Sequence, residues 1–232
     1  MKEKIYFLPG LMTDERLWGR LFPLLEDEYE LVHVPLPRTS DFEEASKKLE
    51  EIFKEEKINL LGFSLGAYMA SYFTIKNPIR VNKLFLVAGT PGCMNPDEIE
   101  KRKLTLKQMN SLGFKGLSHK KILTLIEETN HNDEELINII KDMFSDLGVD
   151  VYNVQMNSTF NRKDISKEFK KLSLPIKIFY STRDRLFSHR VLENFTEEDS
   201  HIELVSREGT SHMISLESPK RLAQEIRQWI KS

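Results

Sequence analysis

Apolar residues recur along this chain in two patterns, short runs of strand length and longer stretches with helical spacing. The strand-like runs are, in chain order, Ile5–Leu8, Glu30–Val34, Lys57–Leu61, Lys83–Val87, Pro175–Tyr180 and His201–Val205. Helical patterns separate most of them, and such alternation predicts a parallel sheet covered by helices on both faces. We therefore predict an α/β fold with about six strands.

Three of the helical patterns define boundaries or buried faces. Glu15–Leu25 is predicted as a helix, and a second helix is predicted from Ser40, where Glu43 completes a capping box. The buried side of this second helix is predicted to contain Phe42, Ala45, Leu49, Ile52 and Phe53. The last helix starts at Ser218-Pro219, with proline in the first helical position. Its predicted buried face contains Leu222, Ala223, Ile226, Trp229 and Ile230.

The stretch from Asn95 to Leu172 departs from this alternation, because it has helical patterns at 99–109, 118–126 and 136–144 and no strand pattern. A helical insertion between two strands is expected to lie over the carboxyl ends of the sheet as a lid. We therefore expect residues 1–94 and 173–232 to form the two parts of one core, and residues 95–172 to form the helical lid insertion.

Gly62-Phe63-Ser64-Leu65-Gly66 joins the third strand-like run to a helical pattern that ends at Asn77-Pro78. A serine on a sharp turn from strand to helix has its hydroxyl lifted clear of the sheet, with backbone N–H groups beside it. The two glycines relieve the crowding that such a turn creates. This is the context that a G-x-S-x-G nucleophile elbow requires.

A serine nucleophile needs a base, and the base needs an acid that holds its tautomer. Asp184 follows the strand-like run 175–180, and His212 follows the run 201–205. The carboxyl ends of parallel strands lie along one edge of a sheet, so Ser64, Asp184 and His212 are predicted to converge as a catalytic triad.

Other candidates for the acid and the base are less well placed. Asp199 precedes the last strand and so lies at the opposite sheet edge, while Asp164 has the position of a helix N-cap. The remaining histidines fall within or before strands, in the lid, or too close to Asp184, and they are His33, His201, His119, His131 and His189. Asp184 and His212 are therefore the preferred assignments.

The chain resembles the α/β-hydrolase superfamily, in particular its small, cap-bearing serine hydrolases. Four segments carry the resemblance: the residues Phe7-Leu8-Pro9-Gly10-Leu11, the elbow, the Asp184 loop and the loop from Gly209 to His212. The resemblance implies a sheet that lacks the first two strands of the full fold. It also implies an oxyanion hole formed by the backbone N–H groups of Leu11 and Leu65. Pro9 stands where the family has a histidine that supports the oxyanion loop.

Relatives of this type include carboxylesterases and the pimeloyl-carrier-protein methyl esterase, and the resemblance implies hydrolysis of a carboxylic ester or thioester without a cofactor. A cap-type lyase and cofactor-free haloperoxidases share the scaffold. The lyase is disfavoured, because Ala67-Tyr68 replaces the glycine and arginine that family lyases tend to carry. A different class of function, a catalytically idle fold that binds a ligand or a protein, remains open. Fold alone does not choose among these functions.

Composition excludes several other functions. The net charge is −2, with 34 Lys and Arg residues against 36 Asp and Glu, so no overall attraction to nucleic acid is expected. His-Glu-x-x-His, Cys-x-x-Cys and glycine-rich phosphate motifs are absent from the sequence, so no metal site is predicted. The sequence has a single cysteine, Cys93, and shows neither a signal-peptide pattern nor an apolar run of membrane length. We therefore predict a cytoplasmic protein. Cys93 itself is interpreted as an inert thiol.

The lid sequence suggests what the substrate is. Met109, Met143, Phe144 and Met156 are expected to line a pocket for a small to medium acyl group of a small-molecule ester. Basic residues on the lid are interleaved with acidic ones, and they are Lys101, Arg102, Lys103, Lys107, Lys120 and Lys121. We interpret them as a solvated helix face. The alternative is a docking face for an acidic acyl carrier protein.

Overall fold

Six strands form one parallel sheet in the computed structural model, which describes residues 2–196 and 199–232. The strands are β1 (Glu3–Leu8), β2 (Tyr29–His33), β3 (Ile58–Phe63), β4 (Val81–Val87), β5 (Ile176–Ser181) and β6 (Ile202–Arg207). Their order in the sheet is β2-β1-β3-β4-β5-β6, and every neighbouring pair is parallel. The predicted α/β fold is confirmed.

Helices cover both faces of this sheet. In the described part of the chain they are α1 (Phe42–Ile52), α2 (Leu65–Lys76), α3 (Pro96–Leu112), α4 (His119–Leu123), α5 (Glu134–Phe160), α6 (Ser166–Phe169), α7 (Ile214–Glu217) and α8 (Pro219–Lys231). Strand β1 shows how a central strand contributes apolar residues to both faces of the sheet. Ile5 and Phe7 lie in the core on the α8 side, while Tyr6 and Leu8 lie in the core on the α1 and α2 side.

The segment predicted as a helix over 15–25 is instead two short 3-10 turns, Glu15–Trp18 and Phe22–Leu24. Pro23 lies inside the second turn and has no N–H group to donate, so a continuous α-helix would lose a hydrogen bond there. Trp18 remains fully buried. The apolar pattern of this segment therefore indicated correctly that its residues are buried. It indicated wrongly that they form one continuous helix.

Helix α1 starts later than predicted. Its N-cap is Asp41, whose carboxylate accepts a hydrogen bond from the Glu44 N–H at 2.9 Å, rather than Ser40 with Glu43. Ile52, the last residue of the helix, was predicted to be buried but is 42% exposed, whereas Phe53, which follows it, is buried as predicted. The five residues predicted to form the buried face of α8 are all buried.

The insertion, residues 95–172, joins β4 to β5 and contains helices α3 to α6. Its main helix, α5, is bent at Gly148, where a φ of 75° departs from helical geometry. Glycine accepts this backbone conformation readily because it has no Cβ. The bend divides α5 into two halves, and the second half, residues 149–160, lies near the end of β1.

Candidate active site

Ser64 occupies a strained turn between β3 and α2. Its φ of 52° lies in the left-handed region that non-glycine residues rarely adopt. A Cβ on Gly62 would lie 2.3 Å from the Gly66 carbonyl oxygen, and a Cβ on Gly66 would lie 2.2 Å from the Pro9 oxygen. Gly62 therefore lets the start of α2 fold back closely on the end of β3, and Gly66 lets the end of β1 pack directly against α2.

The structure brings the three predicted side chains together. Ser64 Oγ lies 2.9 Å from His212 Nε2, and His212 Nδ1 lies 2.7 Å from Asp184 Oδ2. Asp184 is 2% and His212 is 6% exposed, while Ser64 is only half-buried and so can be reached by a ligand. This connectivity allows the histidine to accept a proton from the serine while the aspartate fixes the imidazole.

The rival residues have other partners. Asp199 pairs with Lys170 at 3.1 Å, and the Asp164 carboxylate accepts a hydrogen bond from the Ser166 N–H at 3.0 Å. His189 begins a 3-10 turn, as its position after Asp184 indicated, and one ring nitrogen lies 3.2 Å from the Ser181 oxygen.

The β1 turn, residues 9–13, lies beside the serine. A Cβ on Gly10 would lie 3.2 Å from the Ser64 Cβ, so the amide of Leu11 is close to the elbow. In the part of the chain that the structure describes, no protein acceptor is assigned to the Leu11 or Leu65 N–H group. Neither N–H group is therefore among the backbone hydrogen bonds that hold the turn and the elbow.

Sequence reasoning missed Glu127 as a residue of this region. Its carboxylate accepts hydrogen bonds from the Thr210 N–H, the Thr210 hydroxyl and the Ser211 N–H, and it pairs with Arg207 at 2.8 Å. Burial acts to raise the pKa of Glu127, but these hydrogen bonds outweigh it and lower the pKa to about 2. Glu127 therefore anchors the loop before His212 as a carboxylate, although its sequence context suggested only an exposed charge.

Arg162 was also missed. Its guanidinium donates a hydrogen bond to the Gly92 oxygen at 2.6 Å and lies 4.5 Å from the centre of the Tyr68 ring. Burial lowers the pKa of this arginine to about 10. The contact fixes the loop after β4, in which Gly89 packs against the Ser64 backbone.

An apolar cluster joins the insertion to the β1 turn. Its buried members are Met12, Phe144, Val151, Tyr152 and Met156, and Leu11 and Met109 pack against it. Of the four residues expected to line an acyl pocket, Phe144 and Met156 thus belong to the cluster and Met109 packs against it. Met143 instead lies in the core on the α8 side of the sheet, which corrects that part of the prediction.

Two further properties concern the described residues alone. They contain no group of three or more His, Cys, Asp or Glu side chains arranged to hold a metal ion. None of the helices there combines the length and apolar character needed to cross a membrane.

The parallel sheet and the strand-to-helix serine turn are those of an α/β-hydrolase. The family model described as serine aminopeptidase, S33, matches residues 38–219. The chain therefore belongs to the serine aminopeptidase S33 family.

Solved structures share the fold at low sequence identity. A thermophilic esterase from Thermogutta terrifontis superposes with a TM-score of 0.85 at 20% identity. The superposition covers 100% of this chain and 90% of the esterase chain. The enol-lactonase of Burkholderia xenovorans LB400 superposes with a TM-score of 0.83 at 14% identity. This superposition covers 100% of this chain and 92% of the lactonase chain.

A curated relative resembles part of the chain in sequence. Over 99 residues the chain is 32% identical to the biotin biosynthesis bifunctional protein BioHC of Teredinibacter turnerae. The match covers 38% of this chain and 17% of that protein, so the chain spans a small part of its relative's length.

Proposed function

We propose that this α/β-hydrolase cleaves a carboxylic ester, or a thioester, of a small to medium acyl group through an acyl-serine intermediate. One observation carries the proposal: the chain of contacts from Ser64 Oγ to His212 at 2.9 Å and from His212 to Asp184 at 2.7 Å. The esterase and lactonase among the structural neighbours are consistent with this reaction class.

In the proposed reaction, Ser64 Oγ attacks the carbonyl carbon while His212 takes the hydroxyl proton. Asp184 holds the imidazole and stabilises its positive charge. The Leu11 and Leu65 amides donate hydrogen bonds to the oxyanion, and one such donor is typically worth about 3 kcal/mol. His212 then protonates the leaving alkoxide or thiolate, and the acyl group stays on Ser64. Water activated by His212 releases the acid.

The apolar cluster next to the β1 turn supports an apolar acyl group. Met12 belongs both to the turn that carries the Leu11 amide and to the cluster with Phe144 and Met156. When the carbonyl oxygen of the substrate binds the Leu11 amide, its acyl chain would be buried against this cluster. Each buried methylene contributes about 0.8 kcal/mol to the binding free energy. The expected preference is therefore for uncharged acyl chains of short to medium length.

The test is a panel of p-nitrophenyl esters with acyl chains of increasing length, together with an aminoacyl p-nitroanilide. We expect kcat/KM to rise with chain length to a maximum and then fall, and we expect all turnover to be lost in Ser64→Ala. Turnover of the anilide without the esters would contradict ester hydrolysis. Absence of any turnover together with tight, saturable ligand binding would instead favour the idle binding fold.

A second candidate substrate is an acyl ester attached to an acidic carrier protein. A groove of about 600 Å³ on the insertion is lined by Lys103, Leu106, Lys107, Ser111, Asn157 and Phe160. Leu106 and Phe160 also pack against the apolar cluster, so the groove places basic and apolar surface side by side. The match to BioHC adds support for a substrate of this kind.

Charge reversal distinguishes the carrier-linked substrate from a free ester. The double variant Lys103→Glu/Lys107→Glu should weaken the carrier-linked reaction and its salt dependence while leaving p-nitrophenyl ester turnover unchanged. The matched control is Lys47→Glu/Lys54→Glu, which changes the same charge at exposed positions in and just after α1. Equal salt dependence for both substrates would remove the carrier from the proposal.

A further inference from the structure

The β1 turn has an unusual backbone that needs external support. Met12 has a φ of 53°, in the left-handed region, and carries a side chain rather than the hydrogen of glycine. Inside the turn, the Gly10 N–H donates to Thr13 Oγ1 at 2.8 Å, and the Thr13 hydroxyl contacts the Gly10 oxygen at 3.2 Å. These bonds hold the two ends of the turn and leave its middle, Leu11 and Met12, to be held by something else.

Gln155 supplies that support from the insertion. Its Oε1 accepts a hydrogen bond from the Met12 N–H at 2.7 Å, across 143 positions of sequence. Gln155 lies in the second half of α5 and is 8% exposed, and Met12 is 2% exposed. A buried backbone N–H that loses its acceptor is left unsatisfied at a cost in free energy, so the turn and the helix are energetically linked.

We propose that Gln155 is a positioning residue, which holds the amide of Leu11 in the direction needed for oxyanion binding by fixing the adjacent Met12 amide. The proposal rests on the proposed ester hydrolysis. The turn's own side-chain hydrogen bonds join only Gly10 and Thr13, so the bond from the insertion is the one that fixes Met12. Consequently, the oxyanion site is complete only when α5 is seated against the β1 turn.

A residue with this role acts on the transition state and not on substrate binding. The Leu11 amide would meet full negative charge only when the tetrahedral oxyanion forms, so its displacement should lower kcat and leave KM almost unchanged. Gln155→Met keeps the length and packing of the side chain and removes the acceptor. We expect kcat for a p-nitrophenyl ester to fall by about tenfold to a hundredfold, with KM within about twofold.

Hydrogen exchange at the Met12 amide gives a readout that does not depend on activity. Exchange followed by mass spectrometry with electron-transfer fragmentation, or by NMR, should be faster at Met12 in Gln155→Met than in the wild type. Gln224→Met is the matched control, since it makes the same substitution at an exposed position of α8. It should change neither exchange at Met12 nor kcat. If Gln155→Met folds poorly, Gln155→Asn makes the same test, because its side chain is one methylene too short to reach.

The outcomes separate this proposal from the proposed function. Faster Met12 exchange with a lower kcat and an unchanged KM supports the positioning role. Unchanged exchange, or faster exchange with an unchanged kcat, overturns it, as does a rise in KM alone. If the wild type hydrolyses no ester, the proposed function is wrong. Faster exchange at Met12 in Gln155→Met would then support the contact between helix and turn without a catalytic role.

Discussion

At the scale of single residues, Asp184 uses its two carboxylate oxygens for two separate tasks. Oδ2 lies 2.7 Å from His212 Nδ1, while Oδ1 accepts a hydrogen bond from the Leu186 N–H at 2.8 Å. The second bond fixes the carboxylate plane, so the first points at the imidazole. Asparagine at this position would have only one oxygen to accept hydrogen bonds from the His212 ring and the Leu186 N–H. Its NH2 group would face the other of these two donors.

Asp184→Asn should therefore lower kcat by about 10⁴-fold, because the amide favours the wrong imidazole tautomer. The measurement is steady-state hydrolysis of a p-nitrophenyl ester, with circular dichroism to establish that the variant is folded. Asp199→Asn serves as the control, since Asp199 pairs with Lys170 outside the site and should keep its activity. Near wild-type turnover in Asp184→Asn would show that the acid has been misassigned.

The residues that the sequence identified differ from those that it missed in how far along the chain the evidence for them lies. Ser64, Asp184 and His212 each follow a strand-like run, so local pattern and the parallel topology together were enough to select them. Gln155 and Glu127 act through hydrogen bonds to residues 143 and 83 positions away. Such contacts depend on how helices pack, and nothing in the neighbouring sequence of either residue indicates them.

At the scale of elements, the loop before His212 is held by the insertion. The Glu127 carboxylate accepts three hydrogen bonds from Thr210 and Ser211, and the His212 N–H donates to the Leu125 oxygen at 2.9 Å. Gly209 makes this approach possible, because a Cβ there would lie 2.0 Å from Glu127 Oε1. Ionisation of Glu127 should therefore stabilise the fold as well as the position of the base.

The pKa of Glu127 predicts how this stabilisation depends on pH. Folding lowers the pKa from 4.5 to about 2, so the contribution is fully present above pH 4.5 and is lost as pH falls towards 2. Urea unfolding should show wild type more stable than Glu127→Gln at pH 7, with the difference shrinking as pH drops through this range. Glu128→Gln, at the exposed neighbouring position, is the matched control, and its unfolding curve at pH 7 should stay close to that of the wild type. A pH-independent difference for Glu127→Gln would contradict the assignment.

Strand β5 and helix α8 are joined by a buried ion pair. Lys177 Nζ lies 3.0 Å from Glu225 Oε2, and both side chains are 2% exposed. Removing Glu225 leaves the buried Lys177 paired only with the exposed Glu203, at 3.1 Å, so Glu225→Leu should reduce the free energy of unfolding by up to about 3 kcal/mol. The double variant Lys177→Met/Glu225→Leu should recover much of this loss in chemical denaturation. A single variant as stable as wild type would contradict a tightly coupled pair.

The elements themselves were predictable to different degrees. The four inner strands are largely buried and give apolar runs, whereas the edge strands β2 and β6 are partly exposed and mix apolar with polar residues. All six were found within about two residues of their ends. Glu15–Leu25 was predicted wrongly as one helix, because its apolar spacing suits packing against β1 equally well in 3-10 turns. The start of α1 was displaced because Asp41 competes with Ser40 as the capping residue.

At the scale of the whole molecule, the insertion contacts both loops that flank Ser64. Gln155 reaches the β1 turn, and Leu125 and Glu127 reach the loop before His212. The sheet topology brings the serine, the acid and the base to one edge, which is why the sequence could predict their convergence. The path of the insertion across that edge depends on the bend at Gly148 and on helix packing, which periodicity does not specify.

Whether Ser64 is an activated nucleophile can be measured by covalent labelling with a fluorophosphonate, mapped by mass spectrometry of the digested protein. A serine activated by His212 attacks the phosphorus atom and displaces fluoride. We expect one adduct per chain, located on Ser64, absent from Ser64→Ala and formed far more slowly in His212→Ala. Folded wild-type protein that stays unlabelled, or that is labelled on another residue, would contradict the assignment of Ser64 as the nucleophile.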